Sequence, residues 1–356
     1  MEKVAIIGGG INGLCTAWKL AEAGFKVTLF ERGELMQQTS ASSSKLLHGG
    51  IRYLENFEFR LVREALEERK WWLENVPNLT RRLPILYPIY PHTRARWKMK
   101  IGMMLYDFLA GKKGIGRHRW LTPRQVKRCS PYLNQQNLEG AYLFHDGQMD
   151  DQALGLWVAE RCRELGVSIL TQHPVNRITE HGTLSTFQGS FEFDTIINVA
   201  GPWSEQILED SHLPHDEHLD LVRGSHLLLP SISKFGHLLE VPGESRVVFV
   251  LPYKSQTLLG TTEVQHTLNE TVEVSNEEQT YLLNLYNHYF TQSVNETDIH
   301  SKYAGVRPLL SGKDSLSKHS REYKITRNER LITVFGGKWT TARALGLAVL
   351  NALKNN

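Results

Sequence analysis

The first apolar run of the chain, Val4–Ile7, is short and unbroken and reads as a buried strand. Gly8-Gly9-Gly10-Ile11-Asn12-Gly13 follows at once, and Leu14–Ala23 then sets small and apolar residues at helical spacing. Gly24 ends that helix, and Lys26–Phe30 makes a second strand that closes on Glu31. Further along, His173–Ile178 is strand-like, and Thr195–Ser204 is a strand running into a small-residue turn. Leu331–Thr341 repeats that plan and opens a final helix. Between these elements, RARWKMKI (Arg94–Ile101) alternates basic and apolar residues, and period two predicts an extended segment. The methionines and aromatics of IGMMLYDFLAG (Ile101–Gly111) predict a helix packed on the core after it.

Composition narrows the class. The 356 residues exceed most single cores, so one large domain or two interleaved ones are expected. The chain is 41% hydrophobic and 22% charged with no long apolar run, which predicts a soluble, cytoplasmic, globular protein. Its N-terminus leads almost directly into the first strand and lacks the regions of a signal peptide. Cys15, Cys129 and Cys162 are too widely spaced to suggest a disulfide framework or a zinc site, and no metal is expected. The net charge of +3 conceals a block from Arg94 to Arg128 with eleven basic residues and one acid, Asp107. This block reads either as a solvated loop and core helix or as a peripheral contact with the inner membrane face. It carries no nucleic-acid recognition motif, so no nucleic-acid partner is expected.

Strand, turn, helix, strand and acid form a dinucleotide grammar. Gly8 permits the tight turn, Gly10 lets a pyrophosphate approach the backbone, and Gly13 lets helix pack on strand. The helix N-terminus around Ile11 and Asn12 favours diphosphate, and Glu31 can accept from ribose hydroxyls. The motif leaves FAD and NAD open and disfavours only a 2′-phosphate. The glycine turns at Gly201 and at Gly336-Gly337 suggest a cofactor gripped from both ends of the sequence.

SSSKLLHGGIRYLE with FEFRLVREALEER, DGQMDD, VRGSHLLLP, VFVLPY, LLGTTEV, AGVRPL and VFGGKWTT resembles, in order, the FAD-dependent glycerol-3-phosphate dehydrogenases of the D-amino-acid-oxidase-like superfamily. The resemblance runs from Val4 to about Leu350. It implies an α/β fold: a discontinuous Rossmann-like FAD domain (1–75, 146–215, 325–356) and an inserted α+β substrate domain (76–145, 216–324) on a mostly antiparallel sheet. The implied activity is oxidation of the C2 hydroxyl of sn-glycerol 3-phosphate to dihydroxyacetone phosphate, with electrons passed to quinone or another acceptor. Oxidation of a different polyol phosphate, a 2-hydroxy acid or an amine is the alternative. Family members commonly continue after VFGGKWTT as a helical domain, so the sequence reads as a short form.

The resemblance also assigns residues. Thr39, Ser40, Ser43, Ser44, Lys45 and Leu46 would pass the pyrophosphate and flavin, His48, Gly49 and Gly50 would run beside the isoalloxazine ring, and Arg32 would also bind the cofactor. Val175 would meet adenine, while Ala200, Gly201, Trp203, Gly336, Gly337, Lys338, Trp339 and Thr340 would complete the envelope. Arg52, Tyr53, Arg307 and Lys338 would bind the anionic substrate, since guanidinium forks match phosphate oxygens. His226 in RGSH would be the general base, with Arg307 lowering the alcohol's pKa. Trp339 replaces a smaller aliphatic residue common in relatives, which predicts either a narrower pocket or a shift in the flavin's exposure.

Overall fold

Lys3–Ile7 (β1) is buried from Val4 onward, as an unbroken apolar run requires of a central parallel strand. It pairs in parallel with Lys26–Phe30 (β2) on one side and with Thr195–Asn198 on the other. The computed structural model describes residues 1–312 and 322–355, apart from the side chains of Arg52 and Asn56. Across this sheet the order is Tyr323–Asn328, Leu331–Gly336, Thr195–Asn198, β1, β2 and Ser168–Leu170. Only the first two strands pair antiparallel. Segments from both ends of the chain therefore lie side by side in one sheet.

Helix Ile11–Glu22 (α1) follows β1 through a turn in which Gly8 has φ of 113°, a value a side chain tolerates poorly. A Cβ at Gly13 would lie 1.9 Å from the Gly8 carbonyl oxygen, so the helix approaches the strand more closely than any other residue allows. On its other side α1 crosses the C-terminal helix Ala342–Lys354, and Leu14, Cys15, Leu345 and Val349 join Ile6 and Leu29 in one buried cluster.

A second, ten-stranded sheet is curled and mostly antiparallel. Its central ribbon pairs Leu219–Pro230 with Ser301–Leu310 and with Gln256–Gly260. Helix Asn276–Tyr289 covers one face, burying Leu282, Leu283 and Tyr286 against Leu227, Leu229 and Leu259. The two sheets share chain more intimately than the expected boundaries allow. Leu46–Leu47, within the expected segment 1–75, pairs with Gln148 and Gly147 of the large sheet. The boundary at 324/325 cuts the strand Tyr323–Asn328 of the parallel sheet.

The basic segment differs from expectation. Arg96–Ala110 (α3), which follows helix Phe59–Asn75 (α2), is helical throughout, so the alternation near Arg94–Ile101 does not mark an extended segment. Two apolar stripes on opposite faces produce it. Met99, Met103, Tyr106 and Ala110 face inward, whereas Trp97, Ile101, Met104 and Phe108 repeat the same i, i+4, i+7, i+11 spacing on the exposed side. Among the described residues no helix is long and apolar enough to cross a membrane.

The contact between α1 and β1 leads to a first prediction. Gly13→Ala drives a methyl into the Gly8 carbonyl and is expected to destabilise the protein by about 3 kcal/mol. Denaturant unfolding monitored by circular dichroism reads this directly, and a change below about 0.5 kcal/mol would show that the turn relaxes freely.

Candidate active site

A cavity of about 490 Å3 opens between the two sheets. Gly8, Gly10, Ile11 and Asn12 line it from the parallel sheet, and Gly224, His226, Phe249 and Arg307 from the large one. At the first wall Glu31 also lines the cavity, and its carboxylate accepts from Gly9 N at 2.6 Å and Gly33 N at 2.8 Å. This fixes the acid beside the glycine turn. The Arg32 guanidinium lies 3.8 Å over the Trp203 ring, and burial lowers its pKa. Val175, Ala200 and Gly201 complete this end.

The serine strip follows. Ser40 Oγ accepts from Ile11 N at the start of α1, and Thr39 Oγ1 donates to the Val306 carbonyl. Thr39, Ser40, Ser43, Ser44, Leu46 and His48 all line the cavity. Lys45 does not. Its backbone is left-handed, with φ of 58°, and its ammonium turns inward to Asp151 and the Ala41 carbonyl, each at 2.7 Å. The Lys45 side chain thus makes a buried ion pair and does not line the cavity.

Gly49 and Gly50 also lie behind the wall. Gly49 N donates to Asp146, a buried carboxylate that also accepts from Arg69 and the Tyr106 hydroxyl. A Cβ at Gly49 would meet Tyr106 Oη at 2.1 Å, so this glycine accommodates α3 rather than a ring in the cavity. Gly50, with φ of 75°, opens the 3-10 turn Ile51–Asn56. That turn carries Arg52, whose side chain lies outside the described residues, and Tyr53, which lines the cavity.

Gly336, Gly337, Lys338, Trp339 and Thr340 return to the wall from the other end of the chain. The Lys338 ammonium sits 4.3 Å over the Tyr53 ring. Trp339 donates to the Ser40 carbonyl at 3.0 Å and packs edge-on against Trp72, so its indole braces the serine strip. Two polar atoms on this wall, Thr340 Oγ1 and Asn12 Oδ1, are buried without a partner among the described residues. Unmet hydrogen bonds beside a helix N-terminus and a glycine turn fit a polar dinucleotide.

Strand register builds the far end. Residues two apart on a strand share a face, and His226 pairs with Tyr303 and Gly260, Gly224 with Gly305, and Val222 with Arg307. Gly224, His226, Tyr303, Gly305 and Arg307 thereby form one patch. Glycines make room for it: a Cβ at Gly224 would lie 2.2 Å from Arg307 Nη2, and one at Gly260 2.4 Å from His226 Cδ2. Arg307 donates to the Thr262 carbonyl at 2.8 Å and lies 3.7 Å from Glu263. His226 stacks on Tyr303 at 4.8 Å, and its Nε2 lies 2.9 Å from Ser44 Oγ. Burial, then Arg307 and Lys45, push its pKa well below the usual value, so the imidazole is neutral near pH 7. Such a patch can hold an anion and accept a proton.

Several participants escaped the motif reading. Tyr303 was hidden because its importance comes from the ring across the ribbon, although Tyr303, Gly305 and Arg307 do alternate in the sequence. Asp146 and Asp151 stand in DGQMDD without an evident task until their partners are seen. Thr261, in LLGTTEV, lines the cavity beside Arg307.

Residues 3–351 match the family described as FAD dependent oxidoreductase (DAO). A D-erythritol 1-phosphate dehydrogenase of Brucella abortus is 34% identical over 98% of this chain and 73% of its own length. A glycerol-3-phosphate dehydrogenase of Pseudomonas aeruginosa is 34% identical over 99% of this chain and 71% of its own. The solved glycerol-3-phosphate dehydrogenase of Bacillus halodurans, complexed with FAD, has a similar fold, with a TM-score of 0.79 at 22% identity. The similarity covers 99% of this chain and 64% of that one, so the chain spans less than two thirds of that structure. With a cavity whose walls fit a dinucleotide and a family match across nearly all its length, the chain belongs to the DAO family of FAD-dependent oxidoreductases.

Proposed function

We propose that the protein oxidises the C2 hydroxyl of sn-glycerol 3-phosphate to give dihydroxyacetone phosphate. Bound FAD supplies the hydride acceptor. The observation that carries the reading is the pairing, on one cavity, of cationic Arg307 and Lys338 with the neutral imidazole of His226. The cations suit a phosphate dianion, and the imidazole suits removal of the hydroxyl proton. Arg52, on sequence grounds, joins Arg307 as the second guanidinium. A longer phosphorylated polyol is the second reading, favoured by the equal identity to the erythritol-phosphate enzyme.

We further infer that electrons pass to a membrane quinone and that α3 docks on anionic lipid. Trp97, Ile101, Met104 and Phe108 are 62%, 58%, 56% and 77% exposed along one stripe. Lys98 and Lys100 on the same helix and Lys112 just beyond it are exposed too. Aromatic and aliphatic side chains on one face with bases beside them are the pattern of an interfacial helix, where each base near the surface adds about 1 kcal/mol. The inward face of the same helix presents Tyr106 to Gly49, so the docking face lies directly behind the site.

Two outcomes are expected. Arg307→Ala should keep its yellow FAD spectrum yet bleach at least about 100-fold more slowly with glycerol 3-phosphate under anaerobic mixing; unchanged bleaching removes Arg307 from substrate binding. In sedimentation with vesicles, the protein should bind phosphatidylglycerol but not phosphatidylcholine. The pair Trp97→Ser and Phe108→Ser should release it, and equal binding to both lipids would eliminate the docking assignment.

A further inference from the structure

Neither ring nitrogen of His226 is open to the cavity. Nδ1 is buried and has no partner among the described residues, while Nε2 is closed off by Ser44 Oγ at 2.9 Å. The histidine contributes to the cavity wall but is only 3% exposed. Ser44, in contrast, is partly exposed on that wall. Among the described residues, the hydrogen-bonded door for a proton bound for this imidazole is the serine hydroxyl.

We propose that Ser44 is a catalytic residue that relays the substrate's hydroxyl proton to His226. The proposal rests on the C2-alcohol reading of the site. The substrate O–H bond breaks as its proton passes to Ser44 Oγ, and the Ser44 proton passes to His226 Nε2. The electron pair of the C2–H bond leaves with the hydride for the FAD of the family, and the C2 carbonyl forms. The relay requires the tautomer with its resting proton on Nδ1, which leaves the Nε2 lone pair to accept. Arg307 and Lys45 disfavour the resulting imidazolium, so the proton returns through Ser44 to solvent once product has gone.

The surroundings hold this pair rigid. Tyr303 stacks on one face of the imidazole, and the absent Cβ of Gly260 leaves just enough space at its edge. The Tyr303 hydroxyl donates to the Ser43 carbonyl at 2.8 Å, which ties the stacking ring to the residue before Ser44. Ser43 and Lys45 are both anchored on Asp151. With both neighbours fixed, Ser44 has little freedom to leave the imidazole, the preorganisation that proton transfer requires.

The test uses holoenzyme and anaerobic rapid mixing with glycerol 3-phosphate. Ser44→Ala is expected to retain FAD and lose about 100-fold or more in the bleaching rate, while Ser44→Thr, which keeps a hydroxyl, returns to within about tenfold of the unaltered protein. Diethyl pyrocarbonate labelling, followed by peptide mass spectrometry, gives a readout independent of turnover. His226 should resist the reagent in the unaltered holoenzyme and react in Ser44→Gly. Bleaching of Ser44→Ala at the normal rate, loss of its FAD, or His226 labelled equally with and without Ser44 would each overturn the relay. If glycerol 3-phosphate fails to bleach the unaltered protein, the substrate reading falls instead, and the labelling still decides whether Ser44 guards Nε2.

Discussion

The middle of the serine strip on the cavity wall stands on a buried carboxylate. Asp151 accepts from Ser43 N, from Ser43 Oγ and from the Lys45 ammonium, and it does so with no measurable access to water. Burial raises its pKa, and Lys45 and the Ser43 donors act against that rise. A buried pair of this kind adds little net stability, but leaving one partner uncompensated costs about 3–5 kcal/mol. Its effect is geometric. Lys45 is drawn inward, its backbone takes the left-handed turn, and Ser43 and Ser44 are left on the cavity wall.

Each sheet contributes what its hydrogen-bond pattern does best. Parallel strands end together, so the glycine turns after β1, Thr195–Asn198 and Leu331–Gly336 converge on one edge and line the cavity with backbone. Antiparallel strands match side chains across a ladder, so Leu219–Pro230, Gln256–Gly260 and Ser301–Leu310 set His226, Tyr303 and Arg307 in fixed register. The cavity is where the open edge of one sheet faces the side-chain surface of the other.

The sequence made the local grammar legible. β1, its turn, α1 and the acid Glu31 could be read because each is decided by neighbours within a few residues. Motif order carried the family, and with it most of the wall. Facing direction was less legible. Lys45, Gly49 and Gly50 belong to a motif that borders the cavity, but the distant Asp151 and Asp146 hold Lys45 and Gly49 away from it, and Gly50 packs on its near neighbour Tyr53. In α3, two opposite apolar faces imitated the period of a strand, and only the burial of Met103 and Tyr106 separates the two readings. Tyr303 matters through a ring contact across a ribbon, which no local pattern reports.

The placement of the last strands has a consequence for biosynthesis. The wall of the cavity combines residues from the first turn of the chain with Gly336 to Thr340, and α1 rests on the helix that begins at Ala342. While the ribosome is still making the middle of the protein, β1 and α1 have emerged without the neighbours that cover them. The complete cavity wall therefore exists only once Leu331–Gly336 has joined the parallel sheet and Gly336 to Thr340 have been made. Until then, the apolar faces of β1 and α1, which Leu345 and Val349 cover in the finished fold, are open to contact with other chains.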